Sequence, residues 1–566
     1  MEGKEGKKKI SSKKWIFGIV RFAAAVLLAV FVGLAVHADE LEGTDEAALS
    51  EWGGDAAASR LAYEATHSLI VDSAGIPRFT NYVDGYSMAV PVGMAVDMSD
   101  SGVRAVLDRP DLRIEVYKQP YGRLTGISKD IYIKYFNSWI YKDPYYDITF
   151  DGVKEWEDGK DAAALAWQRE PLSTIPIDRR YYVALNVGFP NHDYIYTILI
   201  KCSWPISEER LIDEYMSLAE GFEIIRPSQP PYTIVRGKGP RAGMNSETAQ
   251  FFKEYFLEKG KMLWGLFHPD APSSFEGFKG IEEEVGFKFP LALCYTGIVE
   301  GEEVHPRLGE ALENARREGK IPELTLQTVP EEKRKSGNML YDILNGEYEV
   351  YIRDYARKAA DFGAPVLFRP GNEMNGDWCN YSAVHISLDA EIYKAFYIYL
   401  FKIFEEEGAD NVLWIWNPNS RPFPDFRWND GICYYPGDEY VDIIGLTAYN
   451  TGTYYEHELW QSFTELYDEV YYKTAAEFKQ PLMITEFASS SIGGDKVAWV
   501  KEMFGIIGYY DRIRAAIWWS SSDLDADGMI ARPYYLNETE ELTQVFRQEL
   551  SETLMRNAYE AMLYRE

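Results

Sequence analysis

The chain has 566 residues, 46% of them hydrophobic, with a net charge of −31 and an isoelectric point near 4.7. That length exceeds one ordinary domain, and the apolar content is enough for packed cores, so two or three globular domains are expected. The acidity excludes nucleic acid as a partner, because a polyanion would be repelled and the one basic run, Lys7–Lys14, is confined to the N-terminus.

Residues 1–38 read as a secretory signal. A lysine-rich start precedes the apolar run Phe22–Val36, and Val36-His37-Ala38 offers small residues at the positions a signal peptidase requires. The alternative is an uncleaved anchor, since Trp15–Val36 is long enough to span a bilayer if Arg21 reaches the interface. Either way the chain is exported, with membrane or cell-wall association through the N-terminus left open. Residues 39–61, acidic and small, read as a flexible tether.

Residues 62–225 show strand-like alternation at Tyr86–Val96, Arg113–Tyr117, Tyr181–Val187 and Tyr194–Lys201, then an amphipathic helix capped by Ser207 and running to about Gly221. Strands followed by a helix predict a small α+β domain with an antiparallel sheet. The order GYSMAVPVGMAVD, then IEVY, then a late helix ending in GFEII faintly resembles the photosystem-associated PsbP-like fold. No convergent polar cluster stands out there. The Pro- and Gly-rich stretch 226–243 reads as a linker.

From 244 to 566 strands and helices alternate. The predicted strands are Met262–Phe267, Leu291–Tyr295, Leu324–Val329, Pro365–Phe368, Val412–Trp416, Asp442–Leu446, Leu482–Thr485 and Ala515–Trp519. Eight strands with intervening helices predict a (β/α)₈ TIM barrel. A doubly wound open sheet would need a glycine loop after its first strand, where this chain has Phe267-His268-Pro269.

By that count Glu373, in PVLFRPGNEMNGDW, follows the fourth strand and Glu486, in PLMITEFASS, follows the seventh. Both project from the strands' C-terminal rim, where barrel enzymes carry their chemistry. Paired carboxylates are what glycosidic cleavage requires: one protonates the leaving oxygen while the other attacks or supports the sugar carbon. Trp378 beside Glu373 would raise its pKa by desolvation. Four scattered cysteines and seven scattered histidines, without a C-x-x-C, suggest no metal and no cofactor. Cys379 and Cys433 fall on one barrel face and could pair. Aromatic residues reach 15%, which suits stacking on sugars or a Tyr-rich core.

FRPGNEMNGDW, NVLWIWNPN, YYPGDEYVDIIGLTAYN and PLMITEF, in this order, resemble the motif series of glycoside hydrolase family 26, β-mannanases of the retaining clan A. The resemblance covers roughly Lys261–Trp519. It implies Glu373 as acid/base and Glu486 as nucleophile, forming a covalent glycosyl-enzyme. It further implies Trp378 lining the sugar site, Tyr449 bonded to the nucleophile and Trp518 as a stacking platform. Two residues depart from the family: Asn372 stands where a histidine is usual and Thr447 where an acid is usual. An Asn-Glu pair is the general clan arrangement, with the Asn372 amide on the sugar 2-hydroxyl. The expected substrate is thus a polysaccharide, β-1,4-mannan first and β-glucan or β-xylan next, with a non-catalytic glycan binder as the other class.

Four further readings remain open on the sequence. Arg369 fixes Glu486 electrostatically or is a barrel strut. Trp416 contacts sugar or packs in the core. His268 reaches substrate or is structural, and Tyr434 and Tyr435 could wall the cleft.

Overall fold

The computed structural model describes residues 56–122, 126–331 and 337–563. The signal or anchor segment and most of the tether lie outside them. Within the expected tether, Ala56–Ala65 is a helix, so residues 56–61 are not flexible chain. Among the described residues no helix is long and apolar enough to cross a membrane.

Two compact units emerge. One takes in Gly102 and the described residues before it, together with Gly221–Tyr232; the other comprises Val103–Glu220 and everything from Thr233 onward. The division runs through the segment 62–225 rather than after it. In the first unit His67–Val71, Pro77–Asn81, Tyr86–Ala89 and Glu223–Ile224 form a four-stranded antiparallel sheet. The predicted strand Tyr86–Val96 breaks after Ala89, where Pro91 and the left-handed Gly93 intervene, and resumes at Ala95.

In the second unit six antiparallel strands pair in the order Ala105–Arg109, Leu112–Pro120, Tyr194–Cys202, Tyr181–Gly188, Asp161–Gln168 and Asp147–Glu155. The helix Lys129–Lys142, capped by Ser128 and burying Tyr132, Phe136 and Ile140 along one stripe, sets Tyr132 edge-on against Phe426 and Phe136 edge-on against Trp428 of the barrel loops. Sheet, helix and barrel shell thus share one hydrophobic core.

The barrel is closed and parallel. Its strands, numbered here in chain order, are β1 (Leu263–Phe267), β2 (Leu291–Val299), β3 (Ile321–Val329), β4 (Val366–Pro370), β5 (Val412–Trp416), β6 (Ile443–Thr447), β7 (Leu482–Phe487) and β8 (Ile513–Trp519), and β8 pairs with β1. Alternate side chains fill the interior, among them Leu263, Leu293, Leu367, Leu413, Ile443, Met483 and Ile517, while their neighbours pack outward on the helices.

One irregularity shapes the site. On β7 the register slips against both neighbours near Thr485: Leu446 pairs with Ile484 but Thr447 pairs with Glu486. Such a bulge turns two successive side chains toward one face. Thr485 bonds the interior Thr447, and Glu486 next to it bonds the interior Arg369.

Candidate active site

Glu373 leaves β4 through Gly371 and Asn372, and its own φ of 53° lies in the left-handed region. A non-glycine residue there is strained, and the backbone is held by the Glu373 N–H donating to the Asn417 carbonyl at 2.8 Å. The turn aims the carboxyl at Trp378, whose Nε1–H donates to Oε2 at 3.2 Å. That ring lies over Gly376, where a Cβ would meet it at 2.4 Å, so the position has room only for glycine. Burial, then the negative charge of Glu486, pushes the Glu373 carboxyl up to about 8, with Arg369 and Trp378 pulling the other way.

Glu486 is buried and surrounded by donors. Arg369 Nη1 donates to Oε1 at 2.8 Å and Asn372 Nδ2 reaches the same oxygen at 3.4 Å. On Oε2 the hydroxyls of Tyr449, at 3.1 Å, and Tyr295 both donate. Four donors thus converge on one carboxylate and fix its orientation. The Asn372 amide is fixed in turn, because its Oδ1 accepts from Gln327 Nε2 at 2.9 Å and from the Tyr381 hydroxyl at 3.0 Å, which leaves the NH₂ facing Glu486.

Beneath this layer Arg369 is fully buried. Its Nε pairs with Glu323 Oε1 at 2.9 Å, its Nη2 donates to Thr325 Oγ1 at 2.7 Å, and its Nη1 also donates to Asn417 Oδ1 at 2.9 Å. Thr447 sits in the same interior, accepting from Asn417 Nδ2 at 3.1 Å, and so serves the floor of the site rather than its mouth. Gly445 makes room for that contact, since a Cβ there would meet the Asn417 Cβ at 2.6 Å.

The structure thus brings Glu373, Glu486, Arg369, Asn372, Trp378 and Tyr449 together, and places three other candidates elsewhere. Trp416 is buried on the outer face of β5 against Tyr435 and Phe478, so it is a core residue. Trp518 likewise faces outward, edge-on to Phe487 and Phe546, with its Nε1 donating to the Tyr534 carbonyl. The inward residue of that pair is Trp519, stacked on Phe267 at 5.1 Å and edge-on to Tyr449. His268 bonds Asp270 at 2.6 Å and packs over Gly277, which ties it to the loop after β1. Tyr434 and Tyr435 are buried, and Cys379 and Cys433 are free thiols.

Tyr295, Glu323, Gln327, Tyr381 and Trp519 also contact the residues of this candidate site, and the sequence alone did not single them out. Tyr295 was within reach of it: Leu291, Leu293 and Tyr295 share a face at period two, and the last of them stands nearest the rim. At the mouth, Trp378 and Phe423 expose 55% and 54% of their surface with ring centroids 6.2 Å apart, an open aromatic wall beside Glu373. Among the described residues no group of three or more His, Cys, Asp or Glu is disposed to hold a metal ion.

Comparison with known proteins gives the following. Residues 328–507 match the family model described as Glycosyl hydrolase family 26. Over 184 residues, 31% of this chain and 20% of the relative, the chain is 35% identical to Endoglucanase H of Acetivibrio thermocellus. Over 111 residues, 18% of this chain and 28% of the relative, it is 39% identical to a mannan endo-1,4-β-mannosidase of Bacillus subtilis. The matches therefore span less than a third of either relative. Among solved structures, a Bacillus subtilis mannanase aligns with 50% of this chain and 89% of its own at 20% identity and a TM-score of 0.38. The catalytic domain of a Bacillus endo-β-1,4-mannanase aligns with 56% and 94% at 18% identity and a TM-score of 0.42.

Proposed function

Residues 328–507 belong to glycosyl hydrolase family 26, and on that premise we propose that the barrel hydrolyses a β-linked polysaccharide, β-1,4-mannan in the first place, with retention of configuration. The observation that carries this reading is the unequal pair at one rim: burial beside another carboxylate pushes the Glu373 carboxyl up to about 8, while four hydrogen-bond donors converge on the Glu486 carboxylate.

In the first step the Glu373 proton passes to the glycosidic oxygen, the C1–O bond breaks, and a Glu486 oxygen closes on C1. In the second, the Glu373 carboxylate takes a proton from water, the water oxygen attacks C1, and the Glu486 carboxylate is released. Asn372, with its NH₂ facing Glu486, is placed to bind the hydroxyl next to C1, and Trp378 and Phe423 offer flat faces for the leaving chain. The N-terminal sequence supports export.

A second substrate reading rests on a specific observation. The match to an endoglucanase is longer than that to the mannosidase, 184 residues against 111, and Asn372 replaces the histidine usual beside the acid in mannanases. β-Glucan is therefore the alternative polymer.

The test is reducing-end release by the purified protein on mannan, glucomannan, mixed-linkage β-glucan and β-xylan, with Glu486→Ala as the blank. Activity on one polymer, down at least about 10⁴-fold in the blank while its melting curve is unchanged, is expected. A folded wild type silent on every polymer would overturn the hydrolase reading and leave a glycan binder.

A further inference from the structure

The barrel interior holds a carboxylate that the two steps above do not use. Glu323 on β3 is fully buried, in register with Leu293 of β2 and Leu367 of β4, where the neighbouring interior side chains are aliphatic. Burying a carboxyl in such a layer is costly unless something holds it. Arg369 and Thr325 do so: Thr325 Oγ1 lies 2.9 Å from Glu323 Oε2, and Arg369 Nε lies 2.9 Å from Glu323 Oε1.

The guanidinium is planar, so fixing one edge fixes the direction of the other. Its Nε and Nη2 edge is tied to Glu323 and Thr325, and its Nη1 then points at Asn417 Oδ1 and Glu486 Oε1. Resting on the reading of Glu486 as nucleophile, we infer that Glu323 is a positioning residue that acts through Arg369 to aim the guanidinium at the Glu486 carboxylate. It touches neither substrate nor the reacting atoms.

Other titratable groups feel Glu323 electrostatically: Arg369 on β4 and Glu486 on β7 within the barrel, and the Cys294 thiol on β2 and Tyr355 on the helix Glu349–Phe362 outside it. Burial pushes the Glu323 carboxyl up to about 7 and Glu486 adds to the rise, while Arg369 and Thr325 oppose it. Below that pH a glutamine therefore mimics it closely and still offers an acceptor oxygen to Nε.

The experiment separates aim from bulk fold. At pH 6, Glu323→Gln is expected to keep kcat within about threefold of wild type, while Glu323→Leu, which offers Nε no acceptor, loses at least about tenfold in kcat with KM within about twofold. A Leu variant that is folded but has wild-type kcat would overturn the inference, and so would Gln and Leu variants impaired equally. If Glu323→Leu does not fold, Thr325→Val removes the acceptor of Nη2 and the hydroxyl that holds Glu323 Oε2, and is expected to lower kcat at unchanged KM; wild-type kinetics there would also overturn it. A readout that needs no substrate is the Arg369 Nε–H resonance in ¹⁵N spectra of the full chain, retained in the Gln variant and displaced in the Leu variant. An enzyme inactive on every glycan would sink the function reading, yet this spectrum would still decide the positioning claim.

Discussion

Two clusters of largely buried charge lie in the second unit, one with as many cations as carboxylates and one with a single cation among three carboxylates. Where the antiparallel strands of this unit meet the barrel, Glu115 is contacted by Arg104 at 3.2 Å, Arg113 at 2.6 Å and Lys201 at 3.0 Å; Lys201 also pairs with Asp389 at 2.7 Å, and Arg113 with Glu391 at 3.2 Å. In the barrel, Arg369 alone stands among Glu323, Glu486 and Glu373. Burial by itself would raise the carboxyl groups of Glu115, Glu391, Glu323 and Glu373. In the first cluster the surrounding cations overcome burial and hold Glu115 and Glu391 well below the usual carboxylate range. In the second a single guanidinium cannot, and Glu323 and Glu373 rise toward neutrality. A cation-rich cluster fixes two layers to each other; a cation-poor one leaves a proton available for chemistry.

Removing the one cation should have the largest effect. Arg369→Met leaves Glu323 and Glu486 buried without a counter-charge and takes the guanidinium away from the proposed nucleophile, Glu486. Turnover should fall by at least about 10³-fold, measured on the polymer that the wild type cleaves. Lys201→Met tests the other cluster. Breaking a buried pair costs about 3–5 kcal/mol, so a large drop in denaturant midpoint is expected with kcat per folded molecule unchanged. If Lys201→Met lowered kcat as Arg369→Met does, the distinction between the two clusters would fail.

The same separation can be probed between neighbours on β8. Trp518→Ala empties a buried site on the helix side and is expected to cost about 3–5 kcal/mol of stability. Trp519→Ala is expected to cost less stability and to raise KM, because that ring faces Tyr449 at the mouth.

The eight barrel strands could be read from the sequence because parallel strands buried on both sides are short apolar runs closed by turn formers, as in Val366–Pro370 followed by Gly371 and Asn372. Glu373 and Glu486 stood out as polar residues at the ends of such runs. The strand face did not, because Trp518 and Trp519 are both apolar and a shift of one residue moves a side chain from the mouth to the helix layer. The bulge at Thr485 gives no compositional sign. Asp161–Gln168, rich in alanine, has helical propensity and yet is a strand, paired along its length with Tyr181–Gly188; tertiary pairing overrides propensity there. Glu323 reads as one more acid in an acidic chain, and only its position against Arg369 distinguishes it.

The smallest expected effect concerns Trp378. Its indole N–H stabilises the charged form of Glu373, so Trp378→Phe, which keeps an aromatic face and removes the donor, should raise the pKa of Glu373 further. As the proposed acid, Glu373 must be protonated, so the alkaline limb of kcat/KM, expected near pH 8 in the wild type, should move to higher pH in the variant, with only a few-fold loss of rate at its optimum. The sign for stability is linked. A carboxyl raised in the folded state binds more protons than the unfolded chain does between its ordinary value near 4.5 and about 8, so stability should fall as pH rises through that window. Glu373→Gln removes that contribution, and its melting temperature should decline less than that of the wild type between pH 5 and pH 8. An alkaline limb moving to lower pH in Trp378→Phe would mean that burial rather than the indole donor dominates what the tryptophan does for Glu373. The contrast between a proton-holding cluster and an ion-paired one would then rest on desolvation alone.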